Sequence, residues 1–377
     1  MGALNRRRAD WLRGSIFRGF KNAPIENAVL FESFQGKVVG DSPLDIFREV
    51  ARTRADLKLY FTVLPGKTVA PDGAIGLVHG SREWLKVLAT AKYLVNNTNF
   101  PPYFAKKPDQ IYLQTWHGTP LKRLGHDIED AAPLPVYLNM MDREARSWNY
   151  LISPNKFCSE IFPRAFRYVG ELLETGYPRN DRLVNQPEGL RESVRRKLGV
   201  DVQTKLVLYA PTWRDYKRTA TGNWQTVNYI DSTTVMPEGF RLAFRGHTNT
   251  HAAHSAGVAG DAIDVTNYPD VTELYLAADV LITDYSSVMF DFSVTGKPIL
   301  FLAPDIAEYE SKRGFYFDFA AEAPGPIYSN VGEIIGALKN LPAVSETFAS
   351  KYDAWCKKFN SLEDGGAAKR VVQRVFA

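Results

Sequence analysis

The feature that most constrains this chain is an alternation of short apolar runs with helical patterns, stated once and then restarted. The first series has the runs AVLFESF (28–34), LKLYFTVL (57–64), KYLVNN (92–97), IYLQTW (111–116) and YLISP (150–154). Between them, SPLDIFREVART (42–53) and SREWLKVLATA (81–91) carry apolar residues at helical spacing. Nearly continuous apolar strands separated by helices predict a parallel sheet covered on both faces. The second series has KLVLYAPTW (205–213), GFRLAFRGH (239–247), LITDYS (281–286) and PILFLA (298–303) as strands. TELYLAAD (272–279) and SSVMFDFSVTG (286–296) read as its helices. The turn-rich stretch GYPRNDRLVNQPEGL (176–190) lies between the two series.

The expected fold class is therefore α/β, with two doubly wound domains facing a cleft. The boundaries read from the sequence are a basic segment 1–22, a first domain 23–183 and a second domain 184–377. A length of 377 residues suits two cores. No internal repeat, low-complexity tract or glycine-rich nucleotide fingerprint interrupts the pattern.

Charge and cysteine usage narrow the setting. A formal charge of +4 suits an anionic substrate or membrane surface and selects neither. Cys158 and Cys356 are far apart and in no metal-ligand spacing; one disulfide could join them, and a reducing compartment is the simpler reading. No run approaches the roughly 20 apolar residues of a membrane span. The start, MGALNRRRADWLRGSIFRGFK, lacks the apolar core of a signal peptide. Leu12, Ile16, Phe17 and Phe20 share a helical side, while Gly14 and Gly19 weaken a helix. Two readings stand: a solvated arm, or a segment lying on an anionic leaflet.

Five stretches carry candidate chemistry. In TWHGTPLK, His117 follows a strand, and Thr119–Pro120 is a helix-start signal with Thr119 as cap. That predicts a helix through LKRLG whose amino end faces His117, at the sheet edge where α/β proteins bind ligands. A histidine there titrates near neutral pH and can accept a proton; hydrogen bonding to a loop carbonyl is its structural alternative. In LITDYSSVMFDF, Ser286 and Ser287 open a helix and form a phosphate cradle, or merely cap it. Asp284 would brace that loop and Asp291 would face structure. In FRGHTNTH, Arg245 and His247 end a strand; His251 and His254 follow at a spacing that suggests a metal, but no acidic partner is near. In EYESKRGFYFD, Arg313 suits a phosphate. In YAPTWRD, Arg214 and Asp215 follow a strand, as a structural turn or as site residues.

Taken in order, WHGTPLK, YPRND, YAPTWRD, LITDYSSVMFDF, KPILF and RGFYFD resemble the landmarks of the CDP-glycerol glycerophosphotransferase family, the primases and polymerases of bacterial teichoic acids and related capsules. The resemblance runs from about residue 29 to residue 328. It implies a GT-B fold, two Rossmann-like domains with the active site between them. It also implies transfer of glycerol phosphate from CDP-glycerol to a terminal hydroxyl of a lipid-linked acceptor, with release of CMP and no bound cofactor. In these terms His117 is the base, and His247, Ser286, Ser287 and Arg313 contact the donor phosphates; the candidate set is then His117 and His247 as catalytic, with Ser286, Ser287, Arg313, Asp284, Arg214 and Thr119 binding substrate. Thr248 follows His247 where the family usually has proline. The implied partners are CDP-glycerol or CDP-ribitol, a lipid-linked polyol-phosphate or glycan acceptor and an anionic membrane surface, with no nucleic acid. The implied location is the cytoplasmic face of the bacterial membrane. Two other readings stay open: a sugar transferase of the same fold, and a non-catalytic binder of anionic polymer.

Overall fold

The run ENAVLFE is apolar toward both faces, and it becomes an interior strand, β1 (Glu26–Glu32), of a seven-stranded parallel sheet. The other strands are β2 (Lys58–Val63), β3 (Ile75–Val78), β4 (Ala91–Asn96), β5 (Ile111–Gln114), β6 (Tyr150–Ser153) and β7 (Glu171–Glu174). Their order is β3-β2-β1-β4-β5-β6-β7. β1 pairs β2 and β4 in parallel, with Leu30 opposite Tyr60 on one side and Leu94 on the other. The direction of winding reverses between β1 and β4, and such a switch point opens a crevice at the strands' carboxyl ends.

The computed structural model describes residues 3–129, 134–212, 214–218, 224–225, 228–231, 233–246 and 261–377. The chain forms two units, and the sheet just described belongs to the first: Met1–His117, Gly125–Asp181 and Leu362–Ala377. The second comprises Gly118–Leu124 and Arg182–Ser361. Sequence order alone would put the C-terminus in the second unit. Its last helix, Ala367–Val375, instead buries Val371, Val372 and Val375 in the core built by Val29, Phe31, Ile46 and Phe47. Each buried valine contributes about 1.5–3 kcal/mol. Asp181 caps the helix, accepting from the Ala367 and Ala368 amides at 2.8 Å each.

The amino-terminal segment is neither a free arm nor an unattached amphipath. It forms a helix over Ala3–Gly19 docked on the first unit. Phe17 is buried, 6.1 Å from the Tyr103 ring and 6.0 Å from that of Phe104. Gly14 lets the helix approach Tyr103, where a Cβ would sit 3.0 Å from that residue's Cβ. The glycine expected to weaken the helix thus allows its docking. Trp11 and Leu12 remain exposed.

In the second unit the strands are β8 (Lys205–Ala210), β9 (Arg214–Arg218), β10 (Trp224–Gln225), β11 (Phe240–Phe244), β12 (Ile263–Asp264), β13 (Val280–Thr283), β14 (Ile299–Leu302) and β15 (Ile327–Tyr328). β9 and β10 pair antiparallel; the rest form a parallel sheet in the order β12-β11-β8-β13-β14-β15. Val207, Leu242, Val280 and Leu300 lie in one core cluster of this unit. The switch point here falls between β8 and β13. Cys158 and Cys356 are free thiols. Among the described residues no helix is long and apolar enough to cross a membrane.

Candidate active site

At the first unit's switch point the chain spends unfavourable backbone conformations. Of the six non-glycine residues with positive φ among those described, four belong to segments that surround His117: Phe34, Gln35, Asp41 and Trp116. Such conformations cost on the order of 1–3 kcal/mol each and persist where the surroundings enforce them. Here Ser33 Oγ donates to the Gly40 carbonyl at 2.6 Å, and the Phe34 amide donates to Asn97 Oδ1 at 2.9 Å. The loop after β1 is thereby tied to the residue after β4.

His117 follows β5 and meets both of those segments. Its Nδ1 lies 2.8 Å from the Asn97 carbonyl oxygen. A carbonyl only accepts, so Nδ1 carries the proton and the neutral ring presents a lone pair at Nε2. Trp116 stacks on the ring, with centroids 4.4 Å apart and planes 28° apart, and Phe34 lies 6.0 Å away. The residue keeps solvent access, yet protein crowding lowers its pKa below the ordinary 6.5. The Asn97 bond and Asp41 oppose that shift, and Arg179 adds to it. Solvent access limits its size. The carbonyl bond fixes the tautomer and the orientation of the ring.

The expected helix at Thr119–Pro120 does not form. Thr119 is buried and Lys122 forms a single antiparallel bridge with Phe315. The Arg123 amide donates to the Gly314 carbonyl at 3.1 Å, and the Tyr316 amide donates to the Leu121 carbonyl at 2.9 Å. Residues 118–124 are a non-helical strap in the second unit. Long-range backbone pairing satisfies the groups that a helix would have satisfied locally. No helix dipole therefore acts on His117 from this segment.

Ser286 and Ser287 stand after β13, at the second unit's switch point. Both are half-buried. The helix behind them is short, Val288–Ser293, with Ser287 at its cap position and no side-chain capping bond. Their loop is held from below. Asp284 Oδ1 accepts from the Thr212 amide at 2.8 Å and the Tyr285 amide at 2.6 Å. Its Oδ2 accepts from Arg214 Nη1 at 2.9 Å. Arg214 also forks onto Asp305, with Nε and Nη2 at 2.7 and 2.9 Å. Its guanidinium is 5.0 Å from the centroids of both Tyr285 and Tyr309, and those two rings stack 4.0 Å apart. Arg214 is fully buried and committed to this frame; its place in the site is that of a support. Asp291 is buried, as the sequence suggested.

Arg313 ends the helix Ile306–Arg313 and is half-buried just before Gly314. Arg245 donates through Nη1 to the Val265 and Tyr268 carbonyls at 3.1 and 3.0 Å. His247, Thr248, His251 and His254 lie outside the described residues. Among the described residues no group of three or more His, Cys, Asp or Glu side chains is arranged to hold a metal.

Sequence reading missed Glu32, the last residue of β1. It is fully buried, and the uncharged donors beside its carboxyl are the Thr62 hydroxyl and the Trp84 indole N–H. Burial pushes its pKa up to about 8, against the opposing pull of Thr62 and Trp84. It pairs in register with Asn96 and so stands at the same switch point as Asn97. Its one sequence signal was an acid at the end of an apolar run. Asp41 and Arg179 were also missed as a pair, since nothing local links residues so far apart.

Residues 17–377 match the family model described as CDP-glycerol:poly(glycerophosphate) glycerophosphotransferase. The teichoic acid glycerol-phosphate transferase of Staphylococcus aureus is 35% identical over 381 residues, covering 96% of this chain and 97% of that protein. The teichoic acid poly(glycerol phosphate) polymerase of Bacillus subtilis is 37% identical over 376 residues, covering 96% of this chain and 50% of that protein. The chain thus spans about half the length of that polymerase. A solved structure of the wall teichoic acid polymerase TagF superposes with a TM-score of 0.88 at 35% identity, covering 99% of this chain and 94% of that one.

Proposed function

Because the chain belongs to the CDP-glycerol:poly(glycerophosphate) glycerophosphotransferase family, we propose that it transfers glycerol phosphate from CDP-glycerol to the terminal hydroxyl of a lipid-linked teichoic-acid-type acceptor. The acceptor oxygen attacks the phosphorus that bears glycerol. The bond from that phosphorus to the bridging oxygen breaks, CMP leaves, and the hydroxyl proton passes to His117 Nε2.

The observation that carries this reading is the bond from His117 Nδ1 to the Asn97 carbonyl. It leaves the basic nitrogen of the neutral ring available before any substrate arrives. A base so positioned contributes about 10²–10⁴-fold. Charge in phosphoryl transfer stays on phosphate oxygens, so positioned donors do much of the remaining work. We assign that donor role to Ser286, Ser287 and Arg313, with His247 as a further donor-side residue. Thr119 and Arg214 act through the segments they hold. We also infer the GT-B class for the two parallel α/β units.

The first test is donor choice and product mass. The protein is given CDP-glycerol, CDP-ribitol and UDP-sugars with a short lipid-linked acceptor. CMP release and a mass gain of one or more glycerol phosphates support the reading. Glycosidic product from a UDP-sugar, or no turnover of any donor, ends it. The second test is His117→Ala, which should lower turnover by about 10² or more with the fold intact; near-normal turnover at saturating substrate removes His117 as the base.

We further propose that the protein works at the cytoplasmic face of the membrane, with the first helix facing anionic lipid. Arg8, Trp11, Leu12 and Arg18 are exposed on it, while Phe17 is spent on docking. A basic residue near an anionic surface contributes about 1 kcal/mol, screened by salt. Arg8→Glu with Trp11→Ser should weaken salt-sensitive binding to phosphatidylglycerol vesicles and leave CMP release in solution unchanged. Equal vesicle binding by this variant and the parent would locate the contact elsewhere.

A further inference from the structure

The loop after β8 carries a residue that the reaction scheme above does not use. Thr212 lies just beyond the end of that strand, at the carboxyl edge where the switch point between β8 and β13 opens. The two strands run side by side to their ends, with Ala210 opposite Thr283, and Thr283 Oγ1 donates to the Ala210 carbonyl at 2.8 Å. Past that point the two loops stay joined through Thr212. Its amide donates to Asp284 Oδ1 at 2.8 Å, and its carbonyl accepts from Arg214 Nη1 at 2.5 Å. The same Asp284 oxygen accepts from the Tyr285 amide at 2.6 Å. Thr212 and the residue that precedes Ser286 are therefore bound to one carboxylate oxygen.

The backbone of Thr212 is thus satisfied on both sides, and its side chain is not. The residue is only 6% exposed, yet no described residue gives its Oγ1 a hydrogen-bond partner. A hydroxyl can both donate and accept, and one taken out of water with neither bond made is destabilising. Valine has nearly the same shape and carries no such penalty. Two other threonines of this unit show the contrast. Thr283 donates to Ala210, and Thr266 Oγ1 accepts from the Gly246 amide at 2.9 Å. An unpartnered hydroxyl on a fixed backbone, at the sheet edge that binds ligands, marks a bond completed by a ligand.

We propose that Thr212 is a donor-binding residue whose hydroxyl donates to an oxygen of the donor's diphosphate, beside the bonds assigned to Ser286 and Ser287. This rests on the reading of the chain as a CDP-glycerol transferase. Arg214 does not fill that place, because its guanidinium is committed to Asp284 and Asp305. The frame of Arg214 and Asp284 instead holds the Thr212 backbone, so little conformational freedom is lost when the hydroxyl bonds the donor. One buried ion pair thereby supports two phosphate contacts, the serine loop and Thr212.

The test compares T212V and T212S with the parent, by urea unfolding without ligand and by calorimetric titration with CDP-glycerol. T212V removes the hydroxyl and keeps the branched shape. Its unfolding midpoint should equal or exceed that of the parent, because an unsatisfied polar group is gone, while its affinity for CDP-glycerol should fall about tenfold. T212S keeps the hydroxyl and should bind within about threefold of the parent. A hydroxyl that served only the fold gives the opposite signature, a lower midpoint with unchanged affinity. That signature, or unchanged affinity alone, overturns the proposal. If valine prevents folding, T212A is titrated in its place with the same expected loss of affinity. If the parent itself binds no CDP-glycerol, the functional reading falls and the proposal falls with it; equal binding by the parent and T212V defeats the proposal alone.

Discussion

Gly118 lies against Ser287 so closely that a Cβ on the glycine would stand 2.7 Å from the serine Oγ and 2.9 Å from its Cβ. The glycine of the WHGTP motif is thus the contact on which one serine of the DYSS motif rests. Two stretches that look independent along the chain share one packing constraint within the second unit.

That contact predicts the effect of a single methyl group. Gly118→Ala should destabilise the protein by about 1–3 kcal/mol, the usual cost of overpacking. Ser287→Gly in the same chain should recover part of the loss. Ser287→Ala should recover less, because its Cβ remains in the way. Denaturant unfolding of the three variants is the measurement, and additive effects would show that the two sites do not couple.

Arg214 should behave as a structural residue. Arg214→Met leaves the carboxylates of Asp284 and Asp305 without their buried counter-charge. Removing one partner of such a network costs about 3–5 kcal/mol. Lysine should rescue poorly, since it cannot reproduce the fork onto Asp305. A midpoint of unfolding within error of the parent would refute this assignment.

The donor assignment predicts affinity changes. Ser286→Ala, Ser287→Ala and Arg313→Ala should each weaken CDP-glycerol binding by roughly tenfold to a hundredfold, as expected for losing a charge-assisted hydrogen bond. Calorimetry on the intact protein reads this directly. Unchanged affinity and turnover in all three would remove the phosphate-cradle role.

Glu32 makes stability depend on pH in a set direction. Its pKa is raised from 4.5 to about 8, so the folded state holds the proton more tightly than the unfolded chain. The stability from this group is complete below about pH 4.5 and is lost as pH rises through about 8. Glu32→Gln, which stays neutral, should therefore be more stable than the parent at pH 7 by a margin on the order of 3 kcal/mol, and the margin should vanish near pH 4.5. Urea unfolding at the two pH values checks it; a margin that grows on acidification would contradict the buried neutral acid.

Much of this molecule was legible before any coordinates. The runs AVLFESF, KYLVNN and LITDYS became β1, β4 and β13 to within a few residues, because a strand buried on both faces must be apolar along its length. The candidate residues followed from the same logic. His117, Ser286 and Ser287 stand after strands, where a parallel sheet exposes its carboxyl ends. The strands β3, β7, β9, β10, β12 and β15 were missed: β10, β12 and β15 have only two residues each, and β3, β7 and β9 carry glycine or charged residues that break the apolar run.

What the sequence determined by itself was local: which segments become strands, which face of each helix is apolar, and which polar residues sit where strands end. The tertiary structure decided everything that needs two distant partners at once. Thr119–Pro120 is a helix start by its own chemistry, yet residues 121–123 pair with residues 314–316 and the strap stays non-helical. The C-terminal helix returns to the first unit because its valines complete that core. Asp41 and Arg179 pair because two loops far apart in sequence converge in the first unit. Periodicity records the neighbours a residue has along the chain. The tautomer of a histidine and the charge around it depend on neighbours across space, and only the folded backbone brings those together.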